Sequence, residues 1–81
     1  MKVRVRLFAS LREAVGQEQL DLELADDARV EGAWAALVGR SPALAARRAS
    51  LMAAVNRRYA SFDDALSNGD ELVFIPPVSG G

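Results

Sequence analysis

The stretch KVRVRLF at residues 2–8 decides the fold, because apolar and basic side chains alternate along it. A period of two sends successive side chains to opposite faces, so this segment is predicted to be a half-buried strand. The stretch QLDLEL at 19–24 alternates in the same way, with acidic side chains on its outer face. The two segments are predicted to pair as antiparallel neighbours, with facing opposite charges contributing about 0.2–1 kcal/mol per pair.

A helix is predicted over VEGAWAALV at 30–38, where apolar residues recur at the i, i+3, i+4, i+7 and i+8 spacing of one helix face. Such a face fits onto one side of a sheet. Asp26 and Asp27 precede the helix and suit its positive end, and Gly39 is predicted to end it. Two further segments are a loop with one helical turn at 10–18 and a second short helical segment at 43–50.

The C-terminal half is predicted to be rich in strands. LMAAV at 51–55 is predicted to be a buried strand, followed by a turn and a short edge strand at 59–60. ELVFI at 71–75 is the final strand, which Pro76-Pro77 ends because proline cannot donate to a ladder. This order predicts a single α+β domain over 1–81, with a mixed sheet covered on one face by the main helix.

Composition excludes several kinds of chemistry. The chain has 81 residues, no Cys, no His and a net charge of −1. It therefore has no disulfide, no thiolate nucleophile and no imidazole to act as base or metal ligand. The small net charge gives no reason to expect nucleic acid or a membrane surface as a partner. No apolar run approaches the roughly 20 residues of a membrane span, and no signal peptide is visible, so a cytoplasmic protein is expected.

The chain ends in PPVSGG, and residues 76–81 are predicted to project from the sheet as a flexible tail. The alternative is an ordinary frayed terminus. Glycine has no Cβ, so Gly80 and Gly81 can enter a narrow channel in another enzyme and present the carboxylate at several angles. A free carboxylate must be activated before it reacts, and this chain offers neither a nucleotide site nor a base. The Gly81 carboxylate is therefore the predicted functional group, and the catalyst is expected on a partner.

The last third of the chain, VNRRYASFDDALSNGDELVFIPPVSGG at 55–81, resembles the end of the small subunit of molybdopterin synthase, the MoaD branch of the ThiS/MoaD sulfur carriers. The matching pieces are AVN at 54–56, GDE at 69–71 and above all the final PPVSGG. Residues 5–8 and 11–13 also resemble that family, so the resemblance covers nearly the whole chain. It implies a ubiquitin-like β-grasp fold.

The resemblance also implies a mechanism. A MoeB-like adenylating enzyme would use ATP and Mg to convert the Gly81 carboxylate to an acyl-adenylate. A sulfur donor, such as a cysteine desulfurase system, would then replace AMP and leave a thiocarboxylate. The MoaE-like large subunit would receive the tail, supply the catalytic groups and pass sulfur to cyclic pyranopterin monophosphate, forming molybdopterin in two rounds. This chain itself is expected to bind no cofactor and no metal.

A partner-binding surface is expected on the sheet face that the helix leaves uncovered. Phe8 interrupts the basic outer pattern of the first strand, and Tyr59 and Ile75 fall where the resemblance implies apolar partner contacts. An exposed apolar patch rimmed by charge is typical of such contacts. The alternative is that all three are ordinary, partly buried residues. Arg12 is expected to pair with acidic groups on a partner, and the alternative is an ordinary surface residue. The other predicted partner-binding residues lie in the tail, and they are Pro76, Pro77, Val78 and Ser79.

Three other functions stay open at this point. A related carrier supplies sulfur for the thiazole of thiamin, although such chains tend to be shorter and lack the two prolines. A ubiquitin-like modifier would join Gly81 to lysines of target proteins, and with Lys2 as its one lysine it could hardly form chains of itself. A β-grasp binding module with an inert tail would tolerate an extra residue after Gly81.

Overall fold

The first strand, β1 (Lys2–Leu7), forms as its alternation predicts. The computed structural model describes residues 1–77. β2 (Gln19–Glu23) runs antiparallel to β1 and places Asp21 opposite Arg4. These two side chains form an ion pair, with 3.6 Å between Nε of the arginine and Oδ1 of the aspartate. The predicted antiparallel pairing with facing opposite charges is confirmed. The inward side chains of β1 are all fully buried, and they are Val3, Val5 and Leu7.

The sheet has five strands in the order β2-β1-β5-β3-β4 within the described part of the chain. β1 and β5 are parallel, and the other neighbours are antiparallel, so the sheet is mixed as predicted. The remaining elements are α1 (Ala9–Val15), α2 (Val30–Arg40), a 3₁₀ helix (Pro42–Ser50), β3 (Met52–Val55), β4 (Arg58–Ala60) and β5 (Glu71–Ile75). None of the helices in residues 1–77 has the length and apolar character needed to cross a membrane.

The core lies between α2 and one face of the sheet, with Phe74 of β5 at its centre. Phe74 is fully buried. Its ring meets Trp34 of α2 edge to face, with 5.0 Å between the ring centres, and stacks on Phe62 at 5.9 Å. The predicted apolar face of α2 is confirmed at Val30, Ala33, Trp34 and Leu37, which are buried.

The C-terminal end of α2 differs from the prediction. The helix continues through Gly39 to Arg40, and the N–H of Ser41 donates to the carbonyl of Leu37 at 2.9 Å. A terminating glycine is not needed there, because the 3₁₀ helix that begins at Pro42 follows directly. Gly39 is therefore an ordinary helical residue, and its assignment as the end of the helix was wrong.

The N-terminal end of α2 is capped by a loop rather than by a nearby carboxylate. Two N–H groups of its first turn donate to the carbonyls of Phe62 and Asp64, at 2.9 and 3.0 Å. Asp26, which the sequence places near the positive end of the helix, instead accepts a hydrogen bond from the amino group of Met1 at 3.2 Å. Backbone carbonyls more than 30 residues away thus accept hydrogen bonds from the first N–H groups of the helix, which a capping side chain usually satisfies.

The connection between β1 and β2 contains α1, a seven-residue helix, where the sequence predicts a loop with one helical turn. Leu11 is its one buried residue, so its apolar stripe is too short to stand out as periodic. Gly16 ends α1 with φ 85. Ser10 Oγ accepts a hydrogen bond of 2.6 Å from Arg47, which ties α1 to the 3₁₀ helix.

Arg48 ties the 3₁₀ helix to α2. Its Nε donates to both carboxylate oxygens of Glu31 at 3.0 Å, and its Nη2 donates at 2.8 Å. The guanidinium carbon lies 3.5 Å from the centre of the Phe62 ring. These hydrogen bonds hold the pKa of Glu31 below its ordinary value.

Replacement of Phe74 with alanine is expected to lower the free energy of unfolding by about 3–5 kcal/mol, because it leaves a cavity against Trp34 and Phe62. Phe8→Ala is the matched control, since the Phe8 ring is 43% exposed and its truncation should cost far less. Urea titration followed by Trp34 fluorescence measures both. Equal losses in the two variants would contradict the placement of the core.

Acid should destabilise the protein partly through Glu31. Its pKa is lowered on folding, so its ion pair with Arg48 stabilises the folded state above the ordinary pKa of 4.5, and that contribution fades as the pH falls below it. Glu31→Gln should therefore lose less stability than the wild type between neutral pH and pH ~3. Urea midpoints across this range measure the difference, with Glu13→Gln as the exposed control. If the urea midpoints of the wild type and Glu31→Gln fall equally with pH, the stabilising role of the Glu31–Arg48 ion pair is contradicted.

Candidate functional site

The side of the sheet opposite α2, the open face, is the candidate site. Leu72 and Phe74 of β5 are buried, so the alternation of the strand places Val73 and Ile75 on the open face. Both are half-buried. β5 is the central strand, and it leads directly into Pro76-Pro77. The middle of the open face therefore adjoins the point where the C-terminal tail begins.

Residues on the neighbouring strands extend this apolar surface on both sides of β5. Phe8 follows β1 directly, and the β1–β5 register, continued by one residue beyond the Leu7–Phe74 pair, brings it level with Ile75. Arg6 precedes Phe8 by two residues and so lies on the same face, with its guanidinium carbon 5.9 Å from the centre of the Phe8 ring. We call the apolar residues of this surface the apolar patch, and they are Phe8, Met52, Ala54, Tyr59, Val73 and Ile75.

The apolar patch is exposed to solvent. Within residues 1–77, the exposed large hydrophobic side chains are Phe8 at 43%, Met52 at 53% and Tyr59 at 75%, and all three belong to it. An apolar surface gathered in one place, rather than scattered singly, is typical of a protein-binding site. Phe8, Tyr59 and Ile75, the three apolar residues singled out in the sequence, are thus brought together on one face.

The sequence did not reveal Met52 and Ala54 as part of this surface. The segment LMAAV is apolar at every position, so its pattern indicates a strand buried on both faces. The structure shows that Leu51 and Ala53 point into the core while Met52 is exposed. The register with β5 would have been needed to find them, because the apolar residues themselves carry no alternation.

The remaining predicted partner-binding residues are placed as follows. Arg12 lies on α1 with an exposed side chain, and it forms no ion pair with the part of the chain that the structure describes. Pro76 is half-buried and Pro77 is exposed. The predicted site residues Val78, Ser79, Gly80 and Gly81, with most of the predicted flexible tail, lie outside the described residues.

The other end of the open face is polar. A shallow depression there is lined by side chains of both charges, including the pair Arg4 and Asp21 together with Lys2 and Glu71. No group of three or more Asp, Glu, His or Cys side chains in residues 1–77 is arranged to hold a metal ion. The open face therefore combines an apolar half beside the tail with a charged half at the opposite end of β1.

Comparison with known proteins gives the family. The model of the ThiS family matches residues 5–81, which is nearly the whole chain. The chain belongs to the ThiS family. A relative from Escherichia coli (strain K12), the molybdopterin synthase sulfur carrier subunit, is 41% identical over 81 residues, covering 98% of this chain and 99% of the relative. The resemblance found in the sequence is thereby confirmed.

Solved structures agree with the fold of this ThiS family member. The crystal structure of SAMP1, small archaeal modifier protein 1, from Haloferax volcanii matches with a TM-score of 0.90 at 35% identity, and the match covers 100% of both chains. A protein–protein complex of subunits 1 and 2 of molybdopterin-converting factor from Helicobacter pylori matches with a TM-score of 0.67 at 24% identity, again over both full chains. The predicted β-grasp fold is confirmed.

Removing the exposed side chains of the apolar patch should leave the fold intact. Tyr59→Ser and Met52→Ser are each expected to change the free energy of unfolding by no more than about 0.5 kcal/mol, as is usual for surface positions. Urea titration measures this, with the core variant Phe74→Ala as the contrasting case. A loss of several kcal/mol would mean that these side chains serve the fold itself rather than a partner.

Proposed function

We propose that this member of the ThiS family is the sulfur carrier of a molybdopterin synthase, with Gly81 as the carrier group. The observation that carries the proposal is its 41% identity, over nearly the full length of both chains, to the sulfur carrier subunit of Escherichia coli. The terminal PPVSGG and the exposed apolar patch beside the start of the tail support it. Such a carrier would act in the cytoplasm.

Activation of Gly81 requires a separate enzyme that binds and uses ATP and Mg. A carboxylate oxygen of Gly81 would attack the α-phosphorus of ATP, and pyrophosphate would leave. A sulfur atom at the oxidation level of sulfide, from a donor such as a cysteine desulfurase system working with a reducing thiol, would attack the acyl carbon, and AMP would leave. The product is a thiocarboxylate on Gly81. The chain has no Cys that could carry the sulfur in its place.

Sulfur transfer would take place in the active site of a larger partner. The sulfur of the thiocarboxylate would attack a carbon of cyclic pyranopterin monophosphate, and the bond between that carbon and its oxygen would break. Water would then hydrolyse the acyl–sulfur bond and restore the Gly81 carboxylate, so that each round exchanges one oxygen of the pterin for one sulfur. Two such rounds give the dithiolene of molybdopterin. The groups that move protons in these steps belong to the large subunit in this proposal.

The open face is the proposed docking surface for that large subunit. Subunits 1 and 2 of the Helicobacter pylori converting factor form a complex. In this chain, Ile75 of the apolar patch directly precedes Pro76-Pro77, so a partner seated on the patch would lie beside the start of the tail. Two consecutive prolines restrict the backbone there and favour an extended exit from β5.

The intact mass of the protein tests the proposal. After incubation with ATP, Mg, the activating enzyme and the sulfur source of its own organism, the wild type should show replacement of one oxygen by one sulfur. A variant with one alanine added after Gly81 should show none, because the new terminal residue carries a side chain. The thiocarboxylated chain should then support molybdopterin formation when its large subunit and cyclic pyranopterin monophosphate are added. Wild-type protein that never takes up sulfur would refute the proposal.

A second candidate function is conjugation to other proteins. The similarity to SAMP1, named a small archaeal modifier protein, favours it. The activated Gly81 carboxyl group would then be attacked by a lysine amine of a target protein, and AMP or sulfide would leave as an amide bond forms. Slower-migrating forms of target proteins on denaturing gels, lost when Gly81 is deleted, would support this role.

A further inference from the structure

The hairpin between β3 and β4 turns through Asn56 and Arg57, and both residues have positive φ, at 50 and 71. A two-residue hairpin loop with positive φ at both positions favours Asn-Gly, because glycine has no Cβ to clash. Asn56 is held in place, since its side chain donates to Asp70 at 2.9 Å and accepts from the N–H of Glu71 at 3.0 Å. Arg57 carries a side chain where the turn itself would be better served by glycine.

The side chain of Arg57 lies beside the apolar patch. It lines a shallow groove on the open face with Ala54, Tyr59 and Ile75, and among residues 1–77 no Asp or Glu lines that groove. Arg57 forms no ion pair within residues 1–77. Arg6 lies on the opposite side of β5, against Phe8, and likewise forms none with this part of the chain. The apolar patch is thus flanked by two guanidinium groups.

The neighbouring Arg58 behaves differently. It is the first residue of β4, and unlike Arg57 it does not have a positive φ. It lines a separate depression that contains Asp64, away from Ile75. Two adjacent arginines therefore differ in backbone strain and in the surface they border, which gives an internal control for the role of Arg57.

We propose that Arg57 is a partner-recognition residue, whose guanidinium, beside the exposed Tyr59, binds a carboxylate on the protein that docks on the apolar patch. The inference rests on the proposed function, in which that protein is the large subunit of the synthase. A guanidinium binds a carboxylate through two parallel hydrogen bonds and so fixes orientation as well as position. The complementary surface has an apolar centre and an acidic side chain at its rim.

Strain argues against a passive surface role for Arg57. Backbone strain persists where the surrounding structure imposes it, and it gathers at binding sites. Here the fold would accept glycine at position 57, which would relieve the strain. The guanidinium is what glycine would remove. A binding role accounts for the strain, for the position of Arg57 beside Ile75, and for a positive charge in a groove that no Asp or Glu of the described chain lines.

The decisive experiment measures stability and binding on the same variants of the full chain. Arg57→Gly should raise the Tm by about 4–8 °C, because the strain is relieved. It should weaken binding to the large subunit of the same organism by about tenfold in Kd, measured by calorimetry. Arg57→Ala should weaken binding equally without the rise in Tm. Arg58→Ala should bind as the wild type does.

Salt dependence gives an independent readout. If Arg57 pairs with a carboxylate, wild-type affinity should fall with rising salt more steeply than the affinity of Arg57→Gly. Binding of Arg57→Gly at wild-type strength would overturn the inference and leave the proposed function standing, provided that Gly81 still takes up sulfur. Equal weakening by Arg57→Gly and Arg58→Ala would overturn it as well, since net charge would then explain both. Self-association of the wild type that Arg57→Gly abolishes would assign the groove to a second copy of the chain instead.

Discussion

The parallel pairing of β1 with β5 is the constraint on which the rest of the structure depends. It brings the first strand of the chain beside the last, and it places Leu7 next to Phe74 in the core. Because side chains alternate along a strand, the same register places Arg6 next to Val73 on the open face. A shift of one residue would exchange the two faces and bury the charged side chains of β1. The core, the open face and the origin of the tail are therefore fixed together.

Sequence reasoning could predict those elements whose own residues carry a period. β1, β2 and the buried stripe of α2 are of this kind, since each contains three or more alternating or helically spaced apolar residues. It failed where the deciding contact lies elsewhere in the chain. The start of α2 is capped by carbonyls of residues 62 and 64, and no local pattern announces them. The end at Gly39 was misplaced because the following 3₁₀ helix makes a terminating glycine unnecessary.

The candidate site divides in the same way. Phe8 could be found because it breaks a basic alternation, and the tail could be found because its composition is unusual. Met52 and Ala54 could not, because their segment is apolar on both faces and only pairing with β5 shows which side is exposed. Positive φ at non-glycine residues is also invisible in a sequence. Within residues 1–77 it occurs at Ala9, Asn56 and Arg57, which directly follow Phe8 or lie in the turn before β4. Backbone strain thus borders the open face on both sides.

In the proposed function the reactive group is at the chain end, and the position of the apolar patch would then matter. Gly81 lies only six residues after Ile75. Once a partner holds the patch, entry of the tail into that partner's active site is an intramolecular step, with an effective concentration that reaches the millimolar range for short linkers. Contacts with the patch can then provide the binding affinity. The two glycines would only have to extend into the active site, which matters because glycine loses more conformational freedom on ordering than any other residue. In the proposed function the chain would bind an activating enzyme and then a synthase, so it would also have to dissociate from each of them. A small apolar patch flanked by a few charges suits that requirement better than a large apolar interface would, because obligate interfaces are larger and more hydrophobic.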